Sequence, residues 1–310
     1  MPYIIALVLL LCSLSAHADQ LDFRANEGGF YNKYAFSWKG HQGQTHSMAF
    51  KVQSKYVQSS DKASQKFVLQ QALDAAYEKA RQEARRSAAR GVNIQVVKAG
   101  GKLRFYGGGG SNWKVDRELE RVERLAQKEM DDYLQKRNYT RSGNVIESDY
   151  DKMARDNFLM MRPIARAIQD NTRGMDLRGV MNYTLAFLQS IPYETYRPKP
   201  GDRMAAIFNT PLNLIARNRG DCDDKSLALG TLLRIMYPNL DMGIVLVPQH
   251  AFVAVDMPAK EGDMTLNING RRHVLVEPVG PEYYEVGRIA RSSLNRLRAG
   301  FQFREIPDRY

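Results

Sequence analysis

Three side chains stand where a thiol reaction needs them. Cys222 lies in Arg219-Gly220-Asp221-Cys222-Asp223-Asp224-Lys225, a segment that reads as a loop-to-helix junction. Gly220 gives the chain freedom for a sharp approach to the helix. Asp221 suits the N-cap, and the acidic residues after it suit the positive end of the helix dipole. A cysteine at or next to the first helical position meets unpaired backbone N–H groups, which stabilise a thiolate and lower its pKa. The same groups can bind the oxyanion of a tetrahedral intermediate. Leu227, Leu229, Leu232 and Leu233 make one side of the helix apolar, so burial fixes the mount of the nucleophile.

A thiol needs a base, and the base needs an orienting acid. His250 opens the apolar run Ala251-Phe252-Val253-Ala254-Val255, so its ring projects from a strand end. His273 also opens a strand, but Arg271-Arg272-His273 reads as solvated, which favours His250. Glu277 closes the next strand, Val274-Leu275-Val276-Glu277, before Pro278 stops the pairing. Antiparallel neighbours put its carboxylate near the imidazole. Asp256, six residues along from His250 on the same strand, lies about 20 Å away if extended. A lone cysteine is usually inert and buried. The order of cysteine at a helix start, histidine at a strand start and acid at the next strand end is far more specific than any one of them.

The amino terminus bears on that cysteine. Tyr3 to Leu11 is an apolar run too short to span a bilayer, and Ser15-Ala16-His17-Ala18 offers an A-x-A cleavage site. Residues 1–18 are expected to be a secretory signal peptide, although no Lys or Arg precedes the run; the alternative is an uncleaved anchor. Leu11 before Cys12 departs from a lipobox, which wants a small residue there. Of the two cysteines, Cys12 leaves with the signal, so Cys222 is the one thiol of the mature chain. In an oxidising compartment a leftover cysteine means intermolecular pairing or a reactive thiol. The expected location is periplasmic or otherwise exported.

The 310 residues are 44% apolar and 25% charged, enough for a real core in one large domain or two small ones. The net charge of +11 suits acidic partners such as anionic cell-surface polymers, lipid headgroups or acidic protein substrates, and equally plain solubility. Nucleic acid is disfavoured, since no nucleic-acid motif accompanies the charge. No cofactor motif is present, and a metal site is not expected. The spacing of Asp221, Asp223 and Asp224 is not that of an EF-hand loop, and His41 and His46 have no third ligand nearby in sequence.

The elements that position the three residues follow from periodicity. Alternation of Phe30, Tyr34, Phe36 and Trp38, and then of Met48, Phe50 and Val52, predicts a hairpin over 29–57. Residues 61–90 predict a long helix capped by Asp61. Val92–Val97 and Lys102–Tyr106 predict a second hairpin about Gly100-Gly101. Gly107–Gly110 reads as a flexible connector, because its spacing is not that of a phosphate loop. A second long helix runs from Val115 to about Leu134. A boundary is expected near residue 145, with an N-terminal α+β domain over 19–145 and the thiol domain over 146–310. There, a helix capped by Ser148 or Asp149 runs toward Gln169, kinked at Pro163. A second helix covers Leu177–Ser190. Loop-rich sequence with Pro192, Pro198, Pro200, Gly201 and Pro211 precedes the helix Cys222–Met236. Strands follow over Gly243–Val255, interrupted by Pro248, and His273–Val276.

Residues 218–235, NRGDCDDKSLALGTLLRI, resemble the nucleophile helix of bacterial transglutaminase-like cysteine proteases. Leu185–Tyr193 looks like that family's helix-to-loop signature, His250-Ala251-Phe252-Val253 resembles its histidine motif, and Val276-Glu277-Pro278 resembles its third motif, which more often carries Asp. The resemblance spans about residues 150–290. It implies an α+β fold with a papain-like or transglutaminase-like core, a nucleophile helix packed on an antiparallel sheet, and a triad of Cys222, His250 and Glu277. It also implies an upstream side-chain oxyanion donor, for which Tyr193 and Asn218 are the candidates. The expected activity is cleavage of a peptide or amide bond in a protein or peptide substrate through a thioester. The alternatives are acyl transfer from glutamine to a Lys amine by the same triad, and a non-catalytic cell-envelope binding module. No oligomeric state follows from the sequence.

Overall fold

The computed structural model describes residues 19–64, 67–142, 145–194, 205–206 and 208–307. The expected signal peptide lies outside the described residues, as do Pro198, Pro200 and Gly201. The chain folds as mixed α+β with antiparallel sheets. Among the described residues no helix is long and apolar enough to cross a membrane.

A three-stranded meander comes first: β1 (Gln20–Asn26), β2 (Tyr31–Lys39) and β3 (Thr45–Gln53), paired in that order. The predicted hairpin is β2–β3; β1 adds an edge strand that the mixed residues Gln20–Asn26 did not announce. Period-two alternation buries Tyr34, Phe36, Trp38, Met48, Phe50 and Val52 on one face. α1 (Ser54–Ala63), β4 (Phe67–Val68) and α2 (Leu69–Ala88) replace the single helix expected from Asp61. Asp61 is inside α1 and caps nothing. Ser64 closes that helix instead, its backbone N–H and hydroxyl both donating to the Ser60 carbonyl.

β5 (Asn93–Ala99) and β6 (Lys102–Gly108) form the second hairpin. Gly100 and Gly101 both hold positive φ, +60° and +72°, as a two-residue turn of that type requires. α3 (Asn112–Gln135) packs on α2, where Ala72, Ala76, Ala80 and Ala84 make a seam at fourfold spacing. The two helices are pinned by buried charge. Arg121 Nη1 lies 2.6 Å from Glu83 Oε2, and its Nε lies 3.0 Å from Glu118 Oε2. Strands β7 (Tyr139–Ser142) and β8 (Val145–Ser148) then lead to α4 (Tyr150–Asn171), whose N-cap Asp149 accepts from Lys152 N–H. Pro163 lies within this helix.

The apolar core crosses the boundary expected near residue 145. The buried face of the meander shares one cluster with Met153, Met161 and Ile164 of α4 and with α5 (Leu177–Ser190). Phe36 meets Phe187 edge-on with ring centres 5.0 Å apart. The α2–α3 pair and the β5–β6 hairpin have small clusters of their own.

The remaining elements are β9 (Ala205–Ala206), α6 (Pro211–Arg217), α7 (Cys222–Met236), β10 (Met242–Val247), β11 (His250–Asp256), β12 (Thr265–Ile268), β13 (Arg271–Val276), α8 (Arg291–Arg298) and β14 (Gln302–Glu305). Strands β10 to β14 make one antiparallel sheet in the order β12-β13-β11-β10-β14. Its two faces are buried against different partners. Met242, Ile244, Ala251, Val253, Val255, Val274 and Val276 join the large cluster around α7, in which Leu227, Ala228, Leu229, Leu232 and Leu233 are fully enclosed. Val245, Val247, Phe252, Ala254 and Leu275 face the other way and pack with Leu294 and Leu297 of α8.

Candidate active site

Helix α7 starts as its residues dictate. The Asp221 carboxylate accepts from the N–H groups of Asp223 and Asp224, and the Asp224 carboxylate reaches back to Asp221 N–H, a complete capping box. Asp224 also accepts from the backbone and side-chain amides of Asn209. Gly220 serves by its lack of a side chain rather than by its backbone freedom. A Cβ there would lie 2.4 Å from Leu214 and 2.7 Å from the Asp224 carboxylate, while its φ is not positive.

Cys222 occupies the first helical position and is only 8% exposed. Three groups meet its sulfur. The Ala251 N–H and the Tyr193 hydroxyl stand near enough to favour its charged form, and the thiol lies 3.7 Å from Asp223 Oδ1. Asp223 is held from behind by the Tyr150 hydroxyl, which donates to Oδ2 at 3.2 Å. Burial, followed by the charges of Asp223 and Asp221, pushes the thiol well above the usual cysteine range. The helix dipole alone would predict a lowered value. Desolvation and two carboxylates next to the sulfur outweigh that half-charge.

His250 and Glu277 are brought together as expected. His250 Nε2 lies 2.9 Å from Glu277 Oε1, with Glu277 1% exposed. The last ladder pair between β11 and β13 is Val253–Val276, so Glu277 is one step beyond, level with Phe252. From there it reaches diagonally to His250, two residues along on the same face. Because β11 starts at His250, Ala251 N–H is available to the sulfur at the strand end. The second carboxylate oxygen, Oε2, accepts from Ser293 Oγ of α8 at 2.7 Å.

Tyr193 is carried by a strap beside Gly220, with which it forms a parallel bridge. Gly220 N–H donates to Pro192 O and Glu194 N–H to Gly220 O. Underneath, the fully buried Lys225 donates through Nζ to Ile191 O. Burial pushes the Lys225 amine down to about 7, against the pull of Asp224 and Asp221. Asp221 in turn is raised to about 6 by burial and by Asp223.

Asn218 does not join the site. It ends α6 with φ +53°, and its amide is engaged at both ends by Gln20 of β1, at 2.8 and 2.6 Å. A side chain spent on a distant strand is no oxyanion donor. His273 is not solvated: it is 1% exposed, stands against Phe303, and has Nε2 3.7 Å from Asp241. Asp256 at the far end of β11 pairs with Arg271 at 3.3 Å. His41 bonds Gln189 at 3.1 Å, and His46 packs on Trp38 and Tyr183.

Sequence reasoning missed Gln189, Ser293 and Asp223 as site residues. Gln189 is buried within the quoted Leu185–Tyr193 segment and donates to the backbone carbonyls of Glu277 and Tyr284, fixing the chain that carries the acid. Its place at the polar end of an apolar helix was the available signal. Asp223 was counted only as a partner of the helix dipole. A cleft of about 300 Å³ opens on His250 and Glu277, walled by Tyr193, Tyr284, Ser292 and Arg296 among others. The arrangement sets a hydrogen-bonded imidazole–carboxylate pair and a buried thiol on neighbouring elements, with the thiol's own side-chain hydrogen bond running to Asp223. Comparison of the chain with protein-family models, curated proteins and solved structures found no match.

Proposed function

We propose that this chain is an exported thiol hydrolase that cleaves a peptide or amide bond, built on a papain-like, transglutaminase-like core. The observation that carries the reading is the 2.9 Å contact between His250 and Glu277, at the end of the strand whose next N–H stands near the sulfur of Cys222. Export rests on the signal-like residues 1–18 and on Cys222 being the lone thiol once they are removed.

The carboxylate of Glu277 holds the Nε2 proton of His250, which leaves Nδ1 with a lone pair for the thiol. Since the surroundings favour the neutral thiol, His250 takes the proton as the sulfur attacks, rather than from a standing ion pair. The S–C bond forms, and the carbonyl electrons move to oxygen. The Cys222 N–H and the Tyr193 hydroxyl are the donors offered to that oxyanion. Collapse breaks the C–N bond, and the imidazolium gives its proton to the leaving amine. A water then loses a proton to His250, attacks the thioester and releases the acid, restoring the thiol.

Iodoacetamide labelling of the mature protein tests the reading through its single thiol. The expected result is labelling that rises with pH and that drops when His250→Ala removes the base, while Cys222→Ala abolishes cleavage of casein or another general protein substrate. Labelling indifferent to His250 would sink the reading. Incorporation of a fluorescent amine into a glutamine-rich protein, without hydrolysis, would replace hydrolysis by transfer.

A further inference from the structure

The triad is divided between the two faces of one sheet. The nucleophile comes from α7 on one face. His250 and Glu277 share the alternation of Phe252 and Leu275, and those side chains pack toward α8 on the other face. Any control of the base and its acid therefore falls to α8. Two of its side chains, one helical turn apart, reach them. Ser293 Oγ, 2% exposed, donates to Glu277 Oε2 at 2.7 Å. Arg296 Nη1 donates to the carbonyls of Pro248 and Gln249 at 3.0 and 2.7 Å, gripping the turn that launches His250. Leu294 and Leu297 anchor the helix in the apolar face between them.

We infer that α8 is the positioning element of the base, and that Ser293 is a positioning residue that fixes the Glu277 carboxylate so that one oxygen stays on His250. The inference rests on the thiol-hydrolase reading above. A glutamate has one more rotatable bond than an aspartate, so a single contact to His250 would leave the carboxylate free to swing. The Ser293 hydroxyl removes that freedom by occupying the second oxygen. The other charged groups near His250 are Asp223 on α7, Arg296 on α8 and Glu282, which lines the same cleft and accepts from the Tyr284 hydroxyl. Arg296 is spent on backbone carbonyls and Asp223 on Tyr150 and the thiol, so Ser293 is the side chain that ties the acid.

The test is the pH profile of iodoacetamide labelling at Cys222 in four forms of the mature chain: unchanged, His250→Ala, Ser293→Ala and Ser293→Thr, with melting temperature measured beside it. Ser293→Ala should fold and label about tenfold more slowly near neutral pH, the scale of one hydrogen bond to a charged group. Its profile should approach that of His250→Ala, and Ser293→Thr, which keeps the hydroxyl, should return toward the unchanged protein. If Ser293→Ala keeps the unchanged profile while His250→Ala does not, the positioning role is wrong and the hydrolase reading stands. If Ala and Thr lose the profile equally, the site responds to packing and the role of the hydroxyl is refuted. If His250→Ala itself changes nothing, the hydrolase reading fails first.

Discussion

Replacing Asp223 by Asn should make the thiol more acidic and more reactive toward small electrophiles. The carboxylate lies 3.7 Å from the sulfur and accepts from the thiol, so it favours the protonated form twice, by charge and by hydrogen bond. At that separation and an effective dielectric of about 20, two unit charges repel by about 4 kcal/mol, a ceiling of about three pH units on the thiol midpoint. The cleft beside His250 admits water, and an Asn amide keeps the bond to the Tyr150 hydroxyl, so a downward shift of about one to two units is expected. The assay is the second-order rate of iodoacetamide labelling between pH 5 and pH 10, with circular dichroism to establish that α7 is intact. A midpoint that stays put or moves up would refute the electrostatic account of this site.

The opposite sign is expected at Tyr193. Its hydroxyl, near the sulfur, lowers the thiol, so Tyr193→Phe should move the same labelling midpoint upward, by about one unit, the scale of one hydrogen bond to a charged group. Asp221→Asn keeps a good N-cap while removing a carboxylate that is raised to about 6 in the fold. A raised acid binds its proton more tightly folded than unfolded, so its cost is absent below about pH 4 and grows as pH rises through about 6. Urea unfolding should therefore show Asp221→Asn more stable than the unchanged chain at pH 7.5, with the difference vanishing at about pH 3. Arg121→Met removes the cation shared by Glu83 and Glu118, which keep Arg86 and Arg90, and should cost about 1 kcal/mol in urea unfolding at pH 7. Glu118, held down to about 2 first by the Ser87 hydroxyl, contributes stability above its ordinary carboxyl range that is lost as pH falls toward 2.

What was legible in the sequence was what local chemistry decides. The helices over Leu177–Ser190 and Cys222–Met236 run between the residues their periodicity predicted, because each opens on an aspartate whose side chain caps it. The β5–β6 turn followed from two adjacent glycines. The pairing of His250 with Glu277 followed from strand ends. The misses have physical reasons too. α6 was taken for loop because Pro211 looked like a breaker, yet it sits at the start of a helix, where its missing N–H costs nothing. α8 is short, and Leu294 and Leu297 are its only apolar residues, so no periodicity announced it. Asn218 looked free to serve the oxyanion, but β1, itself unread, supplies the Gln20 that binds it. The acidity of Cys222 was misjudged because Asp221 and Asp223 were weighed against the helix dipole and not against the sulfur between them.

The glutamate at position 277 then has a structural reason. Directly opposite residues on paired strands bring their Cβ atoms within about 5 Å, whereas a diagonal neighbour lies about 7–8 Å off. Glu277 stands level with Phe252 and must cross the diagonal to His250, and it must do so while presenting its second oxygen to α8. An aspartate in that place falls one methylene short of serving both. The longer acid costs a torsion, and α8 supplies the hydroxyl that holds it. Cys222 is placed by the capping box of a helix buried on the far side of the sheet, which needs nothing from α8. The two halves meet at the strand end, where Ala251 N–H stands near the sulfur. Thiol and imidazole are thus placed by separate devices and can be perturbed separately: Asp223 and Tyr193 act on the sulfur, Ser293 and Arg296 on the imidazole.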